Sequence, residues 1–179
     1  GFALTTNFYW SYLKANGLDK TLTDIFKTLD PKSVKSIVET GKKCRAEVKN
    51  SNFPENLEKE LYASYAKLAE KYGTDPDVAV RTSGVAEDRA NASFAGQFET
   101  YLNIRGLDAL KKAVVDSIVS TFTDRAIAYR DEKGIGQMEF GLSVGVYKMI
   151  RSDLASSGII FTIDTETGFD KVVLINSIW

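Results

Sequence analysis

The chain of 179 residues contains no histidine. For chemistry carried by this chain alone, that excludes an imidazole base or metal ligand, a Ser/His or Cys/His nucleophilic pair, and a phosphohistidine. Cysteine is almost as scarce. Cys44 stands alone, so no internal disulfide forms, no metal-ligand spacing exists, and a reducing compartment is expected. Charge of one sign is also lacking. A formal net charge of -1 gives no global attraction to phosphate polymers or anionic lipid, so neither nucleic acid nor membrane is expected as a partner. No segment approaches the roughly 18 uninterrupted apolar residues of a membrane-spanning helix. The opening "GFALTTNFYW" has neither the basic flank nor the apolar run of a signal peptide, so a cytoplasmic location is expected. What remains is ordinary: 44% hydrophobic and 26% charged residues, with three prolines, describe one globular domain.

Two patterns divide the chain near residue 75. Residues 1–75 read as a helical subdomain: "NFYWSYLKANG" after Thr5 and Thr6, then a helix with Leu22, Ile25, Phe26 and Leu29 on one face. A third helix follows Asp30 as cap and Pro31 as first helical residue. The fourth carries Leu57, Leu61, Tyr65, Leu68 and Tyr72 at helical spacing and stops at Gly73. Residues 76–179 read as a sheet-plus-helix part of the same domain, with strands at 78–81, 98–104, 142–150, 158–164 and 171–176. One long helix is expected between the second and third, because Leu107, Leu110, Val114, Ile118, Phe122, Ala126 and Tyr129 make one stripe. Leu142, Val144, Val146 and Ile150 alternate with Ser143, Gly145 and Met149, which predicts one apolar and one mixed face. "DTETGFD" reads as a hairpin loop, so the sheet should be mainly antiparallel and the class α+β.

Three stretches carry candidate chemistry. In "VAVRTSG", Arg81 ends an apolar strand beside Thr82, Ser83 and Gly84. A guanidinium fork with hydroxyls and backbone N–H groups would grip an anion. The same residues also suit a turn in which Arg81 pairs with Glu87 or Asp88 at the surface. "SFAGQ" offers Gly96 as a point of close approach, yet no "GK[ST]" follows a glycine-rich run, so this is not a Walker loop. In "VGVYKMIRSDLASSG", Lys148 and Met149 end a strand that offers apolar surface and backbone groups to a ring, and Arg151 with Asp153 suits a tight turn.

Taken in order, "VAVRTSGVAEDRANASFAGQFETYLNI", "FTDRAIAYR" and "LSVGVYKMIRSDLASSGIIFTIDTETGFDKVVLINSIW" closely resemble the N-terminal ATP-binding domain of the phosphoenolpyruvate synthase (pyruvate, water dikinase) family. "GFALTTNFYWSYLKANGL" resembles that family's opening segment, so the resemblance spans the chain. It implies a partial ATP-grasp-like fold. It also implies that Arg81 contacts ATP phosphates, that Gly96 and Thr100 line the phosphate side, and that Tyr147, Lys148 and Met149 lie against adenine. Thr82 and Gly84 stand where the family has serine and alanine, and Tyr147 where it has glutamine.

The resemblance further implies that ATP is the nucleotide, with magnesium held by ligands outside this chain. A lysine of the family precedes the position of Gly1, and its metal-binding carboxylate, glutamine and second arginine follow Trp179. The remaining dikinase domains, which carry the phosphohistidine and bind pyruvate, are the implied partners. Gly1 in place of methionine leads us to expect a fragment. A phosphotransferase with another acceptor, and a non-catalytic nucleotide-sensing module, are alternative readings.

Overall fold

The computed structural model describes residues 1–84 and 98–179, with the backbone of 88–89 and 92–93. In chain order its elements are β1 (Phe2–Leu4), α1 (Thr6–Ala15), α2 (Leu18–Phe26), α3 (Val34–Lys49), α4 (Glu55–Tyr72), β2 (Val78–Gly84), β3 (Asp88–Arg89) and β4 (Ala92–Ser93). Then come β5 (Thr100–Ile104), α5 (Leu107–Ser120), α6 (Asp124–Glu132), β6 (Leu142–Lys148), a 3-10 turn (Ser152–Leu154), β7 (Ser157–Phe161) and β8 (Leu174–Ile178). Helices and antiparallel strands together make the class α+β, as the sequence predicts. Two compact units are present, Gly1–Lys148 and Met149–Trp179. The division expected at 75/76 falls inside the first unit, where Leu61, Tyr65 and Leu68 of α4 share one core with Val78 and Val80. Tyr65 reinforces that union: its hydroxyl donates to the Pro76 carbonyl at 3.0 Å and accepts from the Gly106 N–H at 3.1 Å.

Local chemistry explains the helix ends. In α4, Glu55 and Glu58 occupy the first turn and Lys71 the last, each opposing the end of the helix dipole. The start of α3 departs from expectation: the helix begins at Val34, not beside Pro31, because the Ser33 side chain accepts from the Ser36 N–H. Asp30 instead accepts from the Lys32 N–H and closes a local turn.

The long helix expected between the second and third strands is two helices. The hydroxyls of Ser117, Ser120 and Thr121 donate back to the carbonyls of Ala113, Ser117 and Ile118, drawing on the last turn of α5. Thr123 then caps α6 by accepting from the Ala126 N–H. The Thr121 carbonyl, released from the helical ladder, accepts from Arg130 Nη1 at 2.7 Å. The apolar stripe continues through the break, with Val114, Ile118, Phe122 and Ala126 all buried. Spacing alone therefore reads it as one element.

Arg130 organises this corner from inside the core. It is 1% exposed. Its Nε donates to Gln137 Oε1 at 2.8 Å, and its guanidinium lies 5.4 Å from the centroid of the Phe140 ring. Loss of water pushes its pKa down to about 10. The same burial pushes the hydroxyl of Tyr9 and the thiol of Cys44 each up to about 12, so both stay neutral there. A second arginine, Arg45 of α3, donates through Nη1 to the Phe122 carbonyl at 2.6 Å and to Asp124 Oδ1 at 2.7 Å. This contact passes directly over Gly41, where an added Cβ would lie 2.6 Å from Asp124 Oδ1.

The sheet of the first unit has the order β1-β6-β2-β5, and every pairing in it is antiparallel. Val80 faces Val146, Thr82 faces Val144 and Gly84 faces Leu142, and on the other side of β6 Phe2 and Leu4 meet the same valines. The valines and Leu142 are buried in the core with α1, α4 and α5. Helices thus cover one face. At one end of the β2–β6 pair, Lys148 Nζ binds Asp77 Oδ1. At the other, Ser143 Oγ donates to the Ser83 carbonyl at 3.2 Å.

The second unit holds the β7–β8 hairpin, in register from Ser157 opposite Ile178 to Phe161 opposite Leu174. Its strands are displaced by a few residues from those expected. Asp164 takes the Glu166 N–H and the Thr167 hydroxyl on its carboxylate, which fixes the turn and ends β7 at Phe161. Arg151 and Asp153 form the two-pronged ion pair expected at the preceding turn, at 2.7 and 2.5 Å. Among the described residues, no helix is long and apolar enough to cross a membrane.

Two stability predictions follow from these contacts. Arg130→Ala strips the Thr121 carbonyl and Gln137 of a buried donor, so it should cost about 3 kcal/mol, against about 1 kcal/mol for loss of the cap in Thr123→Ala. Urea unfolding measures both, and equal midpoints would contradict the central place of Arg130. The Lys148 hydrogen bond holds the Asp77 carboxyl below its ordinary pKa. Its stabilisation is therefore fully present above the ordinary carboxylate range and is lost as pH falls through the lowered value. Thermal melts of Asp77→Asn across the acid range should show a shallower loss of stability than wild type, and superimposable acid limbs would reject that role.

Candidate nucleotide site

Alternation along β2 and β6 sends every second side chain away from the helices. On that open face Ala79 lies opposite Tyr147, Arg81 opposite Gly145, and Ser83 opposite Ser143. Arg81 is exposed, and Tyr147 is 54% exposed. The other neighbour of Arg81, in β5, is Thr100. Residues paired directly across antiparallel strands point the same way with Cβ atoms about 4.5–5.5 Å apart. Arg81 and Thr100 therefore flank each other, with Gly145 and then Ala3 completing the row.

A bulge decides that Thr100 joins this row. Val78 pairs with Ile104, but Val80 pairs with Tyr101, so β5 carries one extra residue there. Asn103 absorbs it at φ 57°, a left-handed conformation that asparagine tolerates. Without the extra residue, Tyr101 would stand opposite Arg81 and the threonine would turn inward. Instead Tyr101 turns to the core side, where burial pushes its hydroxyl up to about 12.

The structure brings together three of the six candidate residues: Arg81, Thr100 and Tyr147 share the open face. Lys148 falls on the opposite parity, facing Val78, and its ammonium is engaged by Asp77. Met149 is the first residue of the second unit. Gly96 lies outside the described residues, as do the side chains of Glu87 and Asp88 that could pair with Arg81. Among the described residues, none forms an ion pair with the Arg81 guanidinium.

Two participants escaped the sequence reading. Asp77, read as part of a loop, is the anchor for Lys148. Gly145 is the direct partner of Arg81, and its place on the mixed face of an alternating strand was the available signal. Gly84 also gains a reason: a Cβ there would lie 2.4 Å from the Phe140 ring.

Magnesium finds no ligand set here. Among the described residues, no group of three or more Cys, Asp or Glu side chains could hold a metal ion.

The geometry offers an exposed guanidinium, a hydroxyl and an aromatic ring on one uncovered sheet face, groups suited to an anionic ligand that also carries a ring. Comparison with known proteins agrees in kind. The family model described as "Pyruvate phosphate dikinase, AMP/ATP-binding domain" matches residues 1–179. Phosphoenolpyruvate synthase of Aquifex aeolicus (strain VF5) is 44% identical over 178 residues, covering 99% of this chain and 21% of that protein. The synthases of Synechocystis sp. and Escherichia coli (strain K12) are 43% and 41% identical, each with 22% of its length covered. The chain thus spans about a fifth of the length of these curated relatives. With a match over its whole length, the chain belongs to the pyruvate phosphate dikinase AMP/ATP-binding domain family.

Proposed function

We propose that this chain is part of the ATP-binding domain of a phosphoenolpyruvate synthase and binds ATP on the open face of the first unit's sheet. The row of Arg81 and Thr100, uncovered by helices and free of a carboxylate partner among the described residues, is the observation that carries this reading. Arg81 binds phosphate oxygens through its fork of donors, and the Thr100 hydroxyl adds a neutral hydrogen bond beside it. Tyr147 lies on the same face, in reach of the nucleoside. Gly96 belongs to the phosphate side by family resemblance. Lys148 contributes indirectly, by fixing the strand end through Asp77, and Met149 belongs to the adenine side by family resemblance alone. The fold is one portion of an ATP-grasp-like domain.

Phosphoryl transfer places few covalent demands on the protein. Its requirements are in-line placement and neutralisation of charge. Arg81 supplies position and positive charge, and takes no proton. In the whole enzyme, ATP's terminal groups pass to a histidine and then to pyruvate, giving phosphoenolpyruvate, AMP and phosphate. That histidine belongs to another part of the polypeptide, because this chain has none. Magnesium ligands likewise come from outside the described residues, and the enzyme works in the cytoplasm. The relatives' length, several times that of this chain, supports such further domains as partners.

Arg81→Ala in the complete enzyme should lower ATP-dependent phosphorylation by about two orders of magnitude or more, the scale for removing a transition-state donor. Because the side chain is exposed, the melting temperature should stay near wild type. Wild-type phosphorylation rates in this variant would reject the phosphate role.

A further inference from the structure

Tyr147 is exposed, yet it does not project outward from the sheet. A Cβ built on Gly145 would lie 2.4 Å from Tyr147 Cε2, 2.7 Å from its Oη and 2.8 Å from its Cζ. The phenol ring therefore leans back along β6 and rests its hydroxyl end on the bare backbone of Gly145. Gly145 is the residue directly opposite Arg81. A cradle with room for no side chain thus sits in the middle of the phosphate row, and an aromatic ring fills it.

From this contact we infer that Gly145 is a positioning residue: it seats the Tyr147 ring along the sheet, so that the ring forms a stacking surface for the nucleoside of ATP beside Arg81. The inference rests on the proposed ATP site. Any side chain at residue 145 would meet the ring below 3 Å and lift it off the sheet. The ring would then stand in the space that a nucleoside must enter. Stacking against an aromatic face uses the π surface and needs no side-chain hydrogen bond. A tyrosine can therefore serve where glutamine would act through its amide.

The test is a double-mutant cycle in the complete enzyme, with KM for ATP and kcat measured for Gly145→Ala, Tyr147→Ala, both together, and Tyr147→Phe. Gly145→Ala should raise KM for ATP about tenfold, within the range of one base–aromatic stack, and should change KM more than kcat. The added methyl group should lose this effect once the ring is gone, so the double variant should match Tyr147→Ala alone. Tyr147→Phe, which keeps the ring, should have a KM about tenfold below that of Tyr147→Ala. Equal penalties for Gly145→Ala with and without the ring, or equal KM values for the Phe and Ala variants at residue 147, would overturn the inference. Arg81→Ala separates the two levels. If it cripples phosphorylation while the cycle shows no coupling, the ATP site stands and only the seat falls. If all of these variants behave as wild type, the site itself is misplaced and both readings fall.

Discussion

Everything on the open face depends on the register of β2 against β6. Because side chains alternate with a period of two, a slip of β2 by one residue would bury Arg81 and expose Val80. Burial of the valine row makes such a slip costly, since each fully buried valine is worth about 1.5–3 kcal/mol of transfer free energy. Polar contacts mark the two ends of the pair, Lys148 with Asp77 and Ser143 with the Ser83 carbonyl. The first lies off the open face and the second at its end, and both hold the strands that form it.

The two arginines best defined by the structure show how environment divides one side chain's uses. Arg130 is fully buried, donates to the neutral oxygens of Gln137 and Thr121, and is depressed in pKa by loss of water. Its charge is spent on carbonyl and amide oxygens that a broken helix leaves open, and on the face of Phe140. Arg81 is exposed, and among the described residues it has no ion-pair partner. A buried cation fixes structure through the partners its donors find locally, here for Nε and Nη1 of Arg130, while its Nη2 has no hydrogen-bond partner among the described residues. An exposed one on a strand leaves its donors open to solvent or to a ligand.

The face beside Arg81 also shows why small residues and irregularities matter at a site. Gly145 leaves room for the hydroxyl end of an aromatic ring, and the Asn103 bulge puts threonine instead of tyrosine opposite the guanidinium. Each works by changing which atoms reach the surface, without adding a charged group. In the second unit, Ile160 and Ile175 face each other on one side of the hairpin, with Phe161 and Leu174 on the other. Each face also carries polar residues, Asn176 opposite Ile159 on one and Ser177 opposite Gly158 on the other.

The sequence by itself determined the class, the helical stripe of α4, the alternation of β6 and the motif order that identifies the family. These are local or linear properties, carried by spacing and by residue type. It also placed Arg81 at a strand, but could not choose between an anion contact and a turn partner. Tertiary structure alone decided the break between α5 and α6, because that break depends on hydroxyls and on an arginine from the following helix, not on apolar spacing. It alone revealed β1, whose three residues become a strand only by pairing with β6. It separated Tyr147 from Lys148 by strand parity and set Thr100 beside Arg81 through a bulge. The reason is common to all of these. Pairing across strands joins residues far apart in the chain, and no local pattern encodes which residue will stand opposite which.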